Sequence, residues 1–441
     1  MPIAFPQHLA HSMNQPNRTL LDITSCLAAY DPSALPVEQA QAIIHAFVTP
    51  VQAIEQVALR SALGRILARD IISPIDVPAH DNSAMDGYAL RGSDLRLDQA
   101  VRLQVVGTAF AGGANDATVQ PGQCLRIMTG AVMPANCDTV IAQEFTEPSD
   151  DCVSFAAGVV RPGDNRRFAG EDLQRGSVAL AAGTIIRPAD LGLLASLGVA
   201  EVPVRRRLRV AFFSTGNELR SIGETLDAGC VYDSNRYTLY GMLSRLGCDV
   251  IDMGVIKDDE ASLEAAMRIA CESADAIITS GGVSVGAADY TRQIMSRLGE
   301  VSFWKIGMRP GRPMAFGQVS SNGKSAYLFG LPGNPVAVMV TFYFIARAAL
   351  LRMMGAADAP LPVLQAISQA PIRKKPGRTE YQRGIVSRDA SGRAYVRITG
   401  AQGSGILRSM TEANCMVILA DAQGSVSAGD SVDIILFDGL E

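Results

Sequence analysis

The chain has 441 residues, of which 48% are hydrophobic and 19% charged, ordinary globular usage that excludes intrinsic disorder as its main state. Its 39 Lys and Arg against 44 Asp and Glu leave a net charge of −5, so it lacks the basic excess that favours binding to a nucleic-acid backbone. Glycine, at 41 residues, exceeds the ~7% of average proteins, and the length suits about two to four domains at ~100–200 residues each.

Residues 1–33 are polar and mixed, with Pro2, Pro6 and Pro16, and read as a flexible extension. They lack a positive stretch followed by an apolar run, so no signal peptide is expected and the cytoplasm is the default location. A helix follows, because Val37, Ala40, Ile44, Phe47 and Val51 recur at helical spacing. Over 54–205 brief apolar runs alternate with Gly, Pro and Asp clusters, which predicts mostly β structure with helices near 54–63 and 188–196.

From about 206 strands and helices alternate. Strands are expected at 210–213, 250–255, 276–279, 301–306 and 327–329. The helices between them carry Leu239, Met242 and Leu243, then Leu263, Met267 and Ala270, then Tyr290, Ile294 and Leu298. Ser234 is the expected N-cap of the first, with Gly247 just past its end. A long helix is expected over 335–354. Its most apolar part, 338–351, is interrupted by Arg347 and reads as too short to span a bilayer. The alternation predicts a doubly wound parallel sheet with helices on both faces. After the Pro-rich junction at 359–362, residues 363–441 read as a small all-β domain.

The eight cysteines form no C-x-x-C pair, so a zinc ribbon is not supported and reduced core thiols are expected. Only four histidines are present, little material for a histidine-based triad or a zinc site.

In an open parallel sheet, ligands bind beyond the carboxyl ends of the strands. The segments expected there are rich in chemistry. Ser280, Gly281, Gly282, Ser284 and Gly286 form a loop whose backbone N–H groups can approach an anion. Lys305, Arg309 and Arg312 supply positive charge for an oxyanion. Glu218, Asp258 and Asp289 are hard oxygen donors suited to Mg²⁺, although Asp258 or Asp259 serves equally well as a helix cap. Together they point to a phosphorylated ligand with a divalent metal. The glycine loop is not G-x-x-x-x-G-K-[ST], which disfavours a P-loop NTPase. A second dense segment spans 80–88, where the two Asp, an Asn and a Ser also fit a plain turn network.

The segments DNSAMDGYA, RIMTGA, GED, STGNEL, YDSNR, SGGVSVGAADY, FWK, GRPMAFG, GLPGNP, YQRG and QGS occur in this order. In that respect the chain, over about 34–441, resembles the molybdopterin molybdenumtransferase family, which includes MoeA-like proteins and the E domain of gephyrin. The resemblance implies an enzyme that inserts molybdate into adenylylated molybdopterin, releasing AMP, with Mg²⁺ or a similar divalent cation. It implies a multidomain α/β plus β fold: helix and linker part at 34–79, β-rich domain at 80–172, linker return at 173–205, α/β molybdopterin-binding domain at 206–358 and C-terminal β-barrel at 359–441. It also implies a homodimer with a shared active-site cleft and contact with the molybdopterin adenylyltransferase; the charge balance and the short apolar stretch at 338–351 lead to the expectation of no nucleic-acid and no membrane partner.

Matched motif by motif, the resemblance assigns Asp86, Thr129 and Asp172 to the β-rich side of the cleft. Asp258 and Asp289 are implied catalytic residues, and with Glu218 they are the implied metal ligands. Ser280, Gly281, Gly282, Ser284, Lys305, Arg309, Arg312, Pro332, Pro335, Arg383 and Ser404 are implied to bind substrate. The chain departs from the common pattern at Asn217, Ala287, Arg309 and Ala401. Asn217 removes a charge beside Glu218. The alternative reading is a non-enzymatic, E-domain-like scaffold that binds a peptide; the acids Asp86, Asp258 and Asp289 favour the enzyme.

Overall fold

The computed structural model describes residues 19–25, 30–96, 98–113, 117–282 and 289–440, with the side chains of 289 and 290 left out. The chain divides into two compact units, one of residues 1–55, 64–68 and 203–441, the other of 56–63 and 69–202.

The first unit is built on a six-stranded sheet. Its strands are β1 (Arg209–Thr215), β2 (Asp249–Ile256), β3 (Ala276–Ser280), β4 (Gly299–Lys305), β5 (Pro313–Ser321) and β6 (Lys324–Leu331), in the spatial order 2-1-3-6-5-4. β2, β1, β3 and β6 are parallel, whereas β5 runs antiparallel between β6 and β4. The expectation of an all-parallel sheet is therefore corrected by two hairpins, and β5 lies in a segment read only as a motif. Because β5 reverses direction, it starts at the edge where the other strands end: Lys305 of β4 faces Pro313 of β5.

Residues alternate between the two faces of each strand, and the helices cover both. Val210, Phe212, Ala276, Ile278, Phe316 and Phe329 share one core with α1 (Val37–Phe47), α2 (Ser234–Arg245) and α5 (Pro335–Met353). Ala211, Phe213, Ile277, Ala315 and Leu328 share the other with α3 (Glu260–Ser273) and α4 (Asp289–Leu298). This is the doubly wound arrangement. Asp233, rather than Ser234, caps α2, its carboxylate accepting from Arg236 N at 3.1 Å. Asp259 caps α3 in the same way.

α5 is 19 residues long with a mean hydropathy of 1.7, enough by length and composition to cross a bilayer, but 72% of its most apolar window is buried inside the protein. Length does not exclude it as a span, contrary to the sequence reading; its packing identifies a core helix. It contains one wider π turn at Phe342–Ala346.

The C-terminal strands are β7 (Leu364–Ser368), β8 (Thr379–Arg388), β9 (Ala394–Ile398), β10 (Cys415–Leu419) and β11 (Ser431–Leu436). They follow the order 8-9-7-11-10, and β10 pairs back onto β8, closing a five-stranded barrel. Closure removes the exposed strand edges that a small open sheet would present.

Two further expectations need correction. Residues 54–63 are not helical: Ile54–Ala58 is a strand paired with Glu201–Arg205, followed by a 3-10 turn at Leu59–Ala62. Within 1–33, Leu20–Ser25 forms a short helix that buries Leu20 and Ile23, and the Glu300 carboxylate accepts from the Leu20 N at 2.9 Å and the Leu21 N at 2.6 Å. Its exposed first-turn N–H groups thus find their acceptor on β4.

The second unit holds a six-stranded sheet ordered Thr139–Ala142, Gly87–Leu90, Gln123–Ile127, Val101–Ala109, Cys152–Phe155 and Glu147–Ser149, and the helix Pro188–Ser196. Its loops are tied by Asp81, which accepts from Ala169 N at 2.8 Å and from Arg166 Nε at 2.9 Å. The amide of Ala169, together with Arg166, holds the Asp81 carboxyl below the usual carboxylate value. Seven cysteines among the described residues carry free thiols, and burial pushes those of Cys124, Cys137, Cys248 and Cys415 up to about 12.

Phe316 is fully buried among the rings of Phe47, Trp304 and Phe329. Phe316→Ala is expected to cost about 3–5 kcal/mol, read as an earlier urea transition in the fluorescence of Trp304. Asp81→Asn is expected to cost about 1–2 kcal/mol at neutral pH. A depressed folded-state pKa stabilises above the unfolded value and loses that stabilisation as pH falls through the folded one, so the gap between mutant and wild type should begin to narrow near about pH 4 and close only below the depressed folded-state value, in thermal melts by circular dichroism.

Candidate functional site

β1 continues to β2 on one side, while β3, on its other side, continues through α4 to β4. The chain therefore leaves the neighbouring ends of β1 and β3 in opposite directions, which opens a crevice between their loops. Thr215 ends β1 and Ser280 ends β3, and the two loops touch. A Cβ added to Gly281 would lie 2.7 Å from the Thr215 carbonyl oxygen, and Gly281 has a φ of +91°. Only glycine fits there without displacing backbone.

Asn235, in the first turn of α2, ties this loop to a third one. Its Nδ2 donates to Ser280 Oγ at 2.8 Å and to the Gly333 carbonyl at 2.7 Å. The backbone of Gly281 donates to the Leu331 carbonyl at 3.1 Å. Ser280, Gly281, Gly282 and the Pro332–Pro335 turn are thus brought together. Several buried polar atoms here have no partner among the described residues: Ser214 Oγ, Thr279 Oγ1, Thr291 Oγ1, Asp233 Oδ2 and Asn235 Oδ1. Unpaired buried polar groups are costly, and their concentration at one edge suits a polar ligand or ordered water. Ser284 lies outside the described residues. Asp289 begins α4, and its side chain is likewise outside the description.

The acids sit on the turns after β1 and β2. The Glu218 carboxylate folds over Gly216, with Oε2 2.6 Å from where a Cβ there would be. Asn217 Oδ1 accepts from the Asp258 N at 3.3 Å, joining the two turns. Neither the Glu218 nor the Asp258 carboxylate is engaged in a hydrogen bond or ion pair among the described residues. No group of three or more His, Cys, Asp or Glu converges among those residues. A ready-made protein cage is therefore not present there. The donor set fits Mg²⁺ in its other usual mode, held by one or two carboxylates and completed by substrate phosphate oxygens.

The cations come from the β4–β5 turn and the barrel. Lys305 and Arg312 are exposed and make no ion pair among the described residues. Arg309 reaches Glu380 Oε1 of β8 at 3.4 Å, and the short ladder Met308–Arg309 pairs with β8. Arg383 of β8 is 1% exposed. Its Nε donates to Ser409 Oγ at 3.0 Å and its Nη2 to the Gly403 carbonyl at 3.0 Å, with no carboxylate partner among the described residues. Burial lowers its pKa to about 10, so it stays charged at neutral pH. Ser404 sits next to that carbonyl, and its own carbonyl accepts from Val336 N at 3.0 Å, beside Pro335. The barrel loop is thereby fastened to the start of α5.

In the second unit, Asp86 Oδ1 accepts from both the backbone N and Oγ1 of Thr129, each at 2.7 Å. The Thr129 hydroxyl, then its amide, hold the Asp86 carboxyl below its usual value. Asp172 is exposed, and its backbone N donates to the Val77 carbonyl at 3.0 Å; its carboxylate joins neither Asp86 nor Thr129. Sequence reasoning missed Asn235, Thr215 and Asp233 as site residues. All three lie in or beside quoted motifs, but their role depends on which loops meet.

Three family models match in succession: the MoeA N-terminal region (domain I and II) over 35–198, the probable molybdopterin binding domain over 211–352, and the MoeA C-terminal region (domain IV) over 365–437. A molybdopterin molybdenumtransferase of Haemophilus influenzae is 42% identical over 387 residues, covering 88% of this chain and 94% of that protein. One of Nostoc sp. is 36% identical over 386 residues, covering 86% and 88%. The crystal structure of the molybdopterin biosynthesis moeA protein from Pyrococcus horikoshii OT3 superposes with a TM-score of 0.79 at 29% identity, covering 92% of this chain and 100% of that one. With each part of the fold matched in order along nearly the whole chain, this protein belongs to the MoeA family of molybdopterin molybdenumtransferases, enzymes of molybdenum cofactor biosynthesis.

Proposed function

We propose that the chain takes adenylylated molybdopterin and molybdate, cleaves the phosphoanhydride to release AMP, and leaves molybdenum on the dithiolene sulfurs. The observation that carries this reading is the meeting of the Ser280–Gly282, Asn235 and Gly333 loops at the sheet's carboxyl edge. The backbone and hydroxyl donors of that crevice suit the terminal phosphate of a pterin, and Lys305 and Arg312 suit the anhydride. Arg383, charged, buried and bonded only to neutral oxygens among the described residues, suits a tetrahedral oxyanion beside Ser404.

Glu218 and Asp258 would hold Mg²⁺, with Asp289 as a further donor. When bound, the ion stabilises the charge that develops as the P–O bond breaks. Asn217 positions the Asp258 turn through its backbone. Asp86 is kept ionised by Thr129 and is suited to orient water or accept a proton. The reading includes a cytoplasmic homodimer that shares its clefts between protomers, and contact with the molybdopterin adenylyltransferase that supplies the adenylylated substrate.

Purified protein given adenylylated molybdopterin, molybdate and Mg²⁺ should release AMP at a rate that depends on molybdate; substrate binding with no molybdate-stimulated release would refute the reading. Asp258→Asn and Asp86→Asn should each lower turnover by roughly 10²–10⁴-fold while the fold is retained, and wild-type rates would remove those residues from the mechanism. Mixing the two inactive variants should restore activity if protomers share clefts, provided subunit exchange is shown. Gly281→Ala should weaken substrate binding by forcing the Thr215 and Ser280 loops apart, measured as a raised Kd for molybdopterin by titration.

A further inference from the structure

A separate cluster of charge lies at the opposite edge of the first unit's sheet. There Gly64, Arg65, Arg205, Arg206, Arg207 and Gly247 line a cleft open to solvent. β1 begins beside it, with Arg209 facing Asp249 and Val210 facing Ala276. β1 is seven residues long, so this end lies about 20 Å from the Ser280 loop at ~3.3 Å per residue.

The four guanidinium groups are not equivalent. Arg65 donates to Glu55 Oε2 at 2.6 Å and to the Arg205 carbonyl at 2.9 Å. Arg206 makes a forked pair with Asp275, at 3.1 and 2.9 Å. Both are neutralised by carboxylates. Asp249 also acts on Arg206 through space. Arg205 and Arg207 have no carboxylate partner among the described residues. Arg205 Nη1 is held by the carbonyls of Val51 at 3.2 Å and Gln52 at 3.4 Å, and Arg207 Nη1 by that of Gly247 at 2.8 Å. Each keeps its Nε and Nη2 free of acceptors among the described residues. Gly355 leaves room for Arg205, since a Cβ there would lie 3.2 Å from Arg205 Nε.

Two half-buried cations are thus anchored through one nitrogen each, and both residues line the open cleft. Two cations that line one cleft, with no carboxylate partner among the described residues, suit an oxyanion with forked acceptors. We propose that this cleft binds a small tetrahedral oxyanion, free or as a phosphate ester, through the Nε and Nη2 groups of Arg205 and Arg207. It is a second anion site, independent of the carboxyl-edge crevice.

The test uses the full-length wild-type protein and phenylglyoxal, with modification of Arg205 and Arg207 followed by peptide mass spectrometry. The arms are inorganic phosphate, molybdate, AMP and chloride at matched ionic strength. At about ten times its Kd an oxyanion leaves about a tenth of the sites open, so both arginines should react roughly tenfold more slowly than in chloride. Protection by phosphate or molybdate but not AMP assigns a free oxyanion; protection by AMP alone assigns a phosphate ester. Protection should persist in Lys305→Gln, which alters only the other edge. Phosphate binding seen by ³¹P line broadening in Lys305→Gln should be lost on adding Arg205→Gln and Arg207→Gln. Equal modification rates in all four arms, or protection that disappears in Lys305→Gln, would overturn the proposal.

Discussion

Parallel strands deliver all their carboxyl ends to one edge, and the rest of this molecule is arranged around that constraint. The reversal of strand order at β1 and β3 parts their loops, and the contact of Gly281 with the Thr215 carbonyl fixes how closely the parted loops can approach. Asn235 then ties the crevice to the turn that starts α5. β5 obeys the same geometry in reverse, since its amino end brings Arg309 and Arg312 to the edge that β4 reaches with Lys305. The barrel is fastened there as well, by the Ser404 carbonyl on Val336.

This arrangement sorts charge by place. The net charge of −5 hides acids on the turns after β1 and β2, cations in the β4–β5 turn, and a buried arginine in the barrel. Acids and cations sit on separate turns of one edge, and Glu218, Asp258, Lys305 and Arg312 make no ion pair among the described residues. At the amino edge the chain uses arginine differently. Two of the four guanidinium groups are paired to acids and two are held by carbonyls. Carbonyls orient a cation without cancelling its charge, which is what an anion site requires.

Much of the α/β unit was legible because buried strands and amphipathic helices leave period-2 and 3.6 patterns, as in Val210–Phe213 against Leu263 and Met267. The misreadings have physical causes. Residues 54–63 carry apolar residues at helical spacing, yet pairing with Glu201–Arg205 draws Ile54–Ala58 into a strand. β5 was hidden because its Gly and Pro read as loop. Ser234 and Asp233 are both good caps, and only the backbone path shows that Asp233 accepts from Arg236. Leu20–Ser25 has too little periodicity to announce itself and owes its place to Glu300, 280 residues away.

By itself the sequence determined the alternation of strands and helices, the segregation of glycine, acid and base into strand-end segments, and the ordered motifs by which the family is recognised. These are local properties, set by side-chain period and residue chemistry. Tertiary structure alone decided that β5 runs against its neighbours, that Asn235 joins Ser280 to Gly333, that Arg383 is buried with no acid partner among the described residues, and that Arg205 and Arg207 line a cleft at the far edge. Each of those depends on contacts between segments distant in the chain, where the partner, rather than the residue, sets the outcome.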